Sequence, residues 1–152
     1  MAVGEAVREV GAPIEAVWRF TSDMDNWAPL VTGYQSHERL SDDESLWTLK
    51  GQIGQLSKAV TFRVRIIEWD EPSRVAFTLE ATNDNVAGSG AFSAAPADGG
   101  ATTMHVSLEL VPGGFQGPMV NALLAPVLPK VCDEFAATLA AAIEESHRAG
   151  SG

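Results

Sequence analysis

The chain has 152 residues, 45% hydrophobic and 20% charged, a composition that suits one globular core and argues against a disordered polypeptide. Twenty acids against ten Lys and Arg leave a formal charge of −10, which repels phosphate backbones and anionic headgroups, so nucleic acid is not an expected partner. Apolar runs are short and interrupted, as in residues 120–128 with Asn121 and Pro126 inside, so no transmembrane segment is expected, and the N-terminus lacks the basic start and apolar core of a secretion signal, which predicts a cytoplasmic protein.

In chain order, residues 3–10 read as a strand. Gly11-Ala12-Pro13 then introduces a helix at a point where the missing N–H of Pro13 costs nothing, and Val17, Phe20 and Met24 recur at helical spacing. Asp23 is placed to cap a second short helix over 24–30, ended near Pro29, with Trp27 and Leu30 on its apolar face. From 33 to 110 the period becomes two, and turn-forming clusters at 41–43, 51–54, 70–73, 83–85 and 97–100 divide the region into six strands. Val60, Phe62, Val64 and Ile66 alternate with Thr61, Arg63 and Arg65. Trp47 with Leu49, the set Val75, Phe77 and Leu79, and the set Met104, Val106, Leu108 and Leu110 repeat that alternation. A sheet with one dry face needs a cover, and residues 117–147 supply it. There Val120, Leu124, Val127, Val131, Phe135, Leu139 and Ile143 fall three and four apart, the pattern of an amphipathic helix. Pro126 and Pro129 predict a break between 124 and 129. Residues 1–148 therefore read as one domain and 149–152 as a frayed, flexible tail.

The single cysteine, Cys132, has no internal disulfide partner and reads as a small hydrophobe within the helix. His37, His105 and His147 lie far apart, and none has a neighbour at ligand spacing, so no metal is expected. His105 should face outward. His37, beside Glu38 and near Tyr34, is a conceivable general base, although no nucleophile or oxyanion motif accompanies it. Gly-Gln-Ile-Gly at 51–54 and Gly-Ser-Gly at 88–90 precede no helix that would hold an anion, and read as turns or bulges. No Gly-x-Ser-x-Gly elbow, Cys-His pair or dinucleotide fingerprint is present, so neither a catalytic residue nor a cofactor is assigned. Trp18, Trp27, Trp47 and Trp69 read as core residues, with Trp27 and Trp47 also able to border an interior space.

The order strand, two short helices, six strands, long helix resembles the helix-grip fold of START-related proteins, the superfamily of pollen-allergen-like, polyketide-cyclase-like and lipid-transfer domains. The likeness is carried by Ala12-Pro13-Ile14-Glu15-Ala16-Val17-Trp18, by Asp23, Trp27 and Gly33, and by 51–54. It continues through Ile67-Glu68-Trp69-Asp70-Glu71-Pro72 with Arg74, through Ala87-Gly88-Ser89-Gly90, and through Thr102-Thr103-Met104. These residues look most like the CoxG-like branch, the helix-grip proteins associated with carbon monoxide dehydrogenase, which implies a domain that handles an apolar molecule without catalysing a known reaction. The implied fold class is α+β, a seven-stranded curved antiparallel sheet around a long C-terminal helix.

A curved sheet departs from its helix on one side, and small residues such as Ala87, Gly88, Gly90 and Ala91 are expected to leave the gap unfilled. The expected lining is Trp27, Trp47, Val64, Phe77, Leu79 and Phe92, with Met104, Val106, Leu124, Leu128, Val131 and Phe135 completing it. Tyr34, Gln52, Asn85 and Asn121 are the expected polar contacts, and residues 112–129 the segment that gates access. The leading expectation is noncatalytic binding or carriage of a lipid, quinone or polyketide-like molecule. The alternatives are an aromatase/cyclase-like enzyme using Tyr34, His37 and Asn121, and an accessory interaction protein of a metalloenzyme.

Overall fold

A computed structural model describes residues 2–31, 33–53, 56–82 and 85–151, with the side chains of all of these except 52, 53, 56–58, 150 and 151. Strand β1 (Ala2–Val10) leads into α1 (Ile14–Thr21), and Pro13 precedes the helix as its N-cap, its carbonyl accepting from Ala16 and Val17. Asp23 caps α2 (Met24–Trp27) as expected, its side chain accepting from the Asp25 amide at 3.0 Å. The helical course through Pro29 continues as a 3-10 turn, Ala28–Leu30. Then follow β2 (Tyr34–Arg39), β3 (Glu44–Ile53), β4 (Leu56–Asp70), β5 (Arg74–Ala81), β6 (Val86–Pro96) and β7 (Thr102–Pro112).

The strands form one seven-stranded antiparallel sheet in the order β1-β7-β6-β5-β4-β3-β2, so the first strand closes onto the last and β2 forms the far edge. Period-two alternation sorts its faces. Val64 and Ile66 are buried between exposed Arg63 and Arg65, and Met104, Val106 and Leu110 are buried on β7. His105 lies on the outer face, 3.5 Å from Glu5.

The expected helix break is present. Helix α3 (Gly117–Leu124) ends before Pro126, and α4 (Leu128–Ser151) begins beyond it, a run of 24 residues that spans about 36 Å. It continues helical past residue 148 rather than stopping there. Leu128, Cys132, Ala136, Leu139 and Ile143 form its buried stripe, which packs against β1 and β7. Gly4 permits that approach, because a β-carbon there would stand 2.6 Å from the Leu128 carbonyl carbon and 3.0 Å from Cys132 Sγ. Farther along, the Glu144 carboxylate accepts from the Gly11 amide at 2.7 Å and fixes the helix to the β1–α1 junction.

Trp69 departs from the core expectation. It lies at the sheet's end, 36% exposed, with its ring edge-on to Trp18 at 6.4 Å and its indole N–H donating to Asp43 at 2.7 Å. A bulge in β4 aims its ring, and its place beside the β4–β5 turn leaves it partly exposed. Ile66 opposes Phe77 and Trp69 opposes Val75, so the two residues share the concave face although three apart, and Ile67 is turned out to solvent.

Candidate ligand-binding site

Because α4 lies over β1 and β7, the concave face of the middle strands is closed from a distance, and a cavity of about 120 Å³ remains between them. Trp27, Trp47, Val64, Phe77, Leu79 and Phe92 wall it from the α2 and sheet side. Val106 on β7 and Val131 and Phe135 on α4 complete the expected part of the wall. Trp27 and Trp47 stand 5.4 Å apart between ring centres, and Trp27 lies 6.3 Å from Phe77, so one end is an aromatic cluster. Three polar groups near it bond within the protein: Thr21 Oγ donates to the Val17 carbonyl at 3.0 Å, and the Trp27 and Trp47 indoles donate to Thr21 O and Ser45 Oγ. Burial pushes the Cys132 thiol above its ordinary range, with the Glu5 charge adding to the effect, so this wall residue is a neutral thiol.

Other expected contacts lie elsewhere. Met104 has the inward register but is fully buried in solid core, since the cavity meets β7 only over Val106, Ser107 and Leu108. Leu124 and Leu128 belong to a separate small cluster with Ala2 and Leu110, which touches the cavity residues Leu79 and Leu108 from behind. Asn121 sits half-buried on α3 outside the cavity wall, its side-chain oxygen buried without a hydrogen-bond partner among the described residues. Asn85 is exposed and its carbonyl accepts from Gly113, while the Gln52 side chain lies outside the described residues. Of the small residues of β6, Ala91 lines the cavity, whereas Gly88 and Gly90 leave no room: a β-carbon on Gly88 would strike the Glu109 carbonyl, and one on Gly90 the ring of Phe77. The cavity arises from helix placement instead. The wall residues Leu49, Val75 and Leu108 share the inward register of their neighbours and were within reach of the alternation; Thr21 and Cys132 carried no signal.

Tyr34 stands outside the wall, joined to a polar chain. A bulge at Gln35 lets Tyr34 oppose Leu49 and His37 oppose Trp47, so both face the concave side. Tyr34 Oη lies 2.5 Å from His37 Nδ1, His37 Nε2 2.7 Å from Asp25 Oδ1, and Arg39 3.1 Å from Asp25 Oδ2. The His37 hydrogen bond, more than the Arg39 charge, holds the Asp25 carboxyl below its usual range. A wider hollow of about 350 Å³ on the outer face, bordered by Asp70, Arg74 and Ala95, is open and edged with exposed side chains, so it removes little from water.

A curved sheet gripping a C-terminal helix over an apolar cavity defines a helix-grip protein of the START-related superfamily. Within it the chain belongs to the family described as polyketide cyclase / dehydrase and lipid transport, whose model matches residues 1–144. Among solved structures, a conserved protein from Geobacillus kaustophilus is similar with a TM-score of 0.74 and 17% identity, covering 95% of this chain and 96% of that one. The Zhui aromatase/cyclase from Streptomyces sp. R1128 has a TM-score of 0.67 and 18% identity over 99% and 98%. A START superfamily protein from Mycobacterium smegmatis has 0.64 and 20% over 96% and 99%. At these identities the likeness is one of fold. No curated protein matches the chain.

Proposed function

We propose that the protein binds and carries a hydrophobic small molecule, a lipid, quinone or polyketide-like compound, between the concave sheet and α4 without transforming it. The observation that carries this reading is the apolar cavity walled by Trp27, Trp47, Phe77 and Phe135. The resemblance to the CoxG-like branch supports the noncatalytic part.

Magnitudes constrain the guest. A volume near 120 Å³ resembles the engineered cavity of ~150 Å³ that takes benzene, so the space as it stands holds about one ring. Burying ~200 Å² of ring at ~25 cal/mol/Å² yields about 5 kcal/mol, and association costs ~4 kcal/mol or more, which leaves about 1 kcal/mol or less and therefore only weak binding. A guest held at micromolar strength buries roughly twice that area, and the cavity widens to take it. The route is through the cluster of Leu124 and Leu128, which lies behind the wall residues Leu79 and Leu108 and spans the break between α3 and α4.

Native mass spectrometry before and after organic extraction, with titration of an apolar naphthalene probe, tests the proposal. The expected result is a copurifying apolar mass or saturable probe binding that Phe135→Asp abolishes. Leu124→Asp changes the rate of uptake more than the affinity. No binding at all, or binding indifferent to Phe135→Asp, overturns the proposed site. A second reading, a cyclase-like enzyme, is favoured by the chain from Asp25 to Tyr34; turnover of a polyketide-like substrate lost in a Tyr34→Phe, His37→Ala double variant would select it.

A further inference from the structure

The polar groups beside β2 form a chain in which every donor points the same way. In a neutral imidazole one nitrogen bears the proton and the other accepts. A bare Nε2 would set its lone pair against the Asp25 carboxylate 2.7 Å away, so Nε2 carries the proton and Nδ1 is the acceptor. Tyr34, 2.5 Å from Nδ1, then donates its single hydroxyl proton to His37. With Arg39 on the far oxygen of Asp25, the chain runs from Tyr34 through His37 to an anchored anion, and what remains at its outer end is the acceptor side of the Tyr34 oxygen.

We propose that Asp25, His37 and Tyr34 form a recognition relay for a hydroxyl donor, and that the guest is an aromatic compound carrying a phenolic hydroxyl at its β2 end. The inference rests on the reading that the cavity holds an apolar guest. Position supports it. Tyr34 directly opposes Leu49 and His37 directly opposes Trp47, both of them wall residues, and opposed side chains on neighbouring strands stand about 5 Å apart. The ring of His37 lies 6.4 Å from that of Trp47, and the His37 side chain is only 15% exposed, so the relay adjoins the aromatic end of the cavity with limited competition from water. A ring lodged against Trp47 and Leu49 brings a substituent to Tyr34.

Selectivity follows from the direction of the chain. A phenol donates to the Tyr34 oxygen and extends the relay. A ketone, ether or quinone offers only acceptors and meets a hydroxyl whose proton is already committed, so it gains nothing there, whereas the corresponding hydroquinone does. The relay sets a preference for one functional group, and the cavity contributes the apolar part of the affinity.

Fluorine NMR titrations with 4-fluorophenol, 4-fluoroanisole and fluorobenzene at pH 8 separate the two contributions. Fluorobenzene is expected to bind wild type, Tyr34→Phe and Asp25→Asn alike within about twofold, and 4-fluoroanisole to behave the same way. 4-Fluorophenol is expected to bind wild type about tenfold more tightly than Tyr34→Phe, the scale of one hydrogen bond. Asp25 and His37 act through Tyr34, so in Asp25→Asn the resonance of bound 4-fluorophenol shifts while fluorobenzene affinity stays the same. If fluorobenzene binds and 4-fluorophenol ignores Tyr34→Phe, the relay is only a clasp between α2 and β2, and this inference falls while the cavity reading stands. If no probe binds wild type, both fall. Should Tyr34→Phe not fold, Asp25→Asn, at a half-exposed position, carries the comparison through the same resonance shift, and an unshifted signal there overturns the relay.

Discussion

The ring of Phe77 on β5 covers Gly90, its directly opposed partner on β6, at a distance that leaves no space for a β-carbon on that residue. Phe77 also lines the cavity, so the glycine sets where the aromatic wall stands. Gly90→Ala is expected to destabilise the fold by about 1–3 kcal/mol through overpacking and to push the ring inward. Urea unfolding with fluorobenzene titration checks both effects. Unchanged stability and unchanged capacity would show that the ring has somewhere else to go.

Thr102 is fully buried and its hydroxyl donates to the Ala12 carbonyl at 2.8 Å, tying the start of β7 to the segment before α1. Thr102→Val keeps the shape but strands that carbonyl, which is expected to cost roughly 1–3 kcal/mol in chemical denaturation. Thr102→Ser restores most of the loss if the hydrogen bond is responsible. An equal loss in both variants would assign the effect to packing.

Cys132 is 2% exposed and its ionisation is displaced upward by burial, so at pH 8 it remains a thiol. A disulfide reagent is expected to modify the folded protein at least about tenfold more slowly than the urea-unfolded chain, since only the thiolate attacks. Because Cys132 lines the cavity, a guest bound there should slow the reaction further. Rapid labelling of the native protein would mean that the α4 contact with β1 opens readily.

The carboxyl of Asp25 ionises below its usual range because His37 and then Arg39 favour the anion. A folded value below the unfolded one of about 3.9 contributes stability that is fully present at neutral pH and is lost as pH falls through the depressed value. Asp25→Asn should therefore be slightly less stable than wild type at pH 7, by under ~1 kcal/mol for a half-exposed pair, with the difference shrinking as pH falls below the ordinary carboxylate range. Thermal unfolding across that range checks it, and a difference that persists in acid would contradict the assignment.

How far the sequence reaches can be read from β2. Tyr34 and His37 are three apart, and strict alternation puts them on opposite faces; the bulge at Gln35 reverses that, and nothing in the local residue pattern announces it. Asp25, twelve residues earlier in the chain on another element, joins the same chain only through space. Leu124 and Leu128 show the complementary case. Their apolar spacing was legible, but whether an inward residue meets a cavity or a neighbouring cluster depends on where α3 breaks from α4 relative to the sheet.

By itself the sequence determined the order of elements, the inward set of the regular strands β3, β5 and β7, the cap at Asp23 and the helix break at the prolines, because each is imposed by steric and solvation rules acting over a few residues. The tertiary structure alone decided the volume and wall of the cavity and the assembly of Asp25, His37 and Tyr34. Those depend on the distance at which α4 is held from the middle strands and on bulges that re-aim side chains, both of which balance packing across the whole chain.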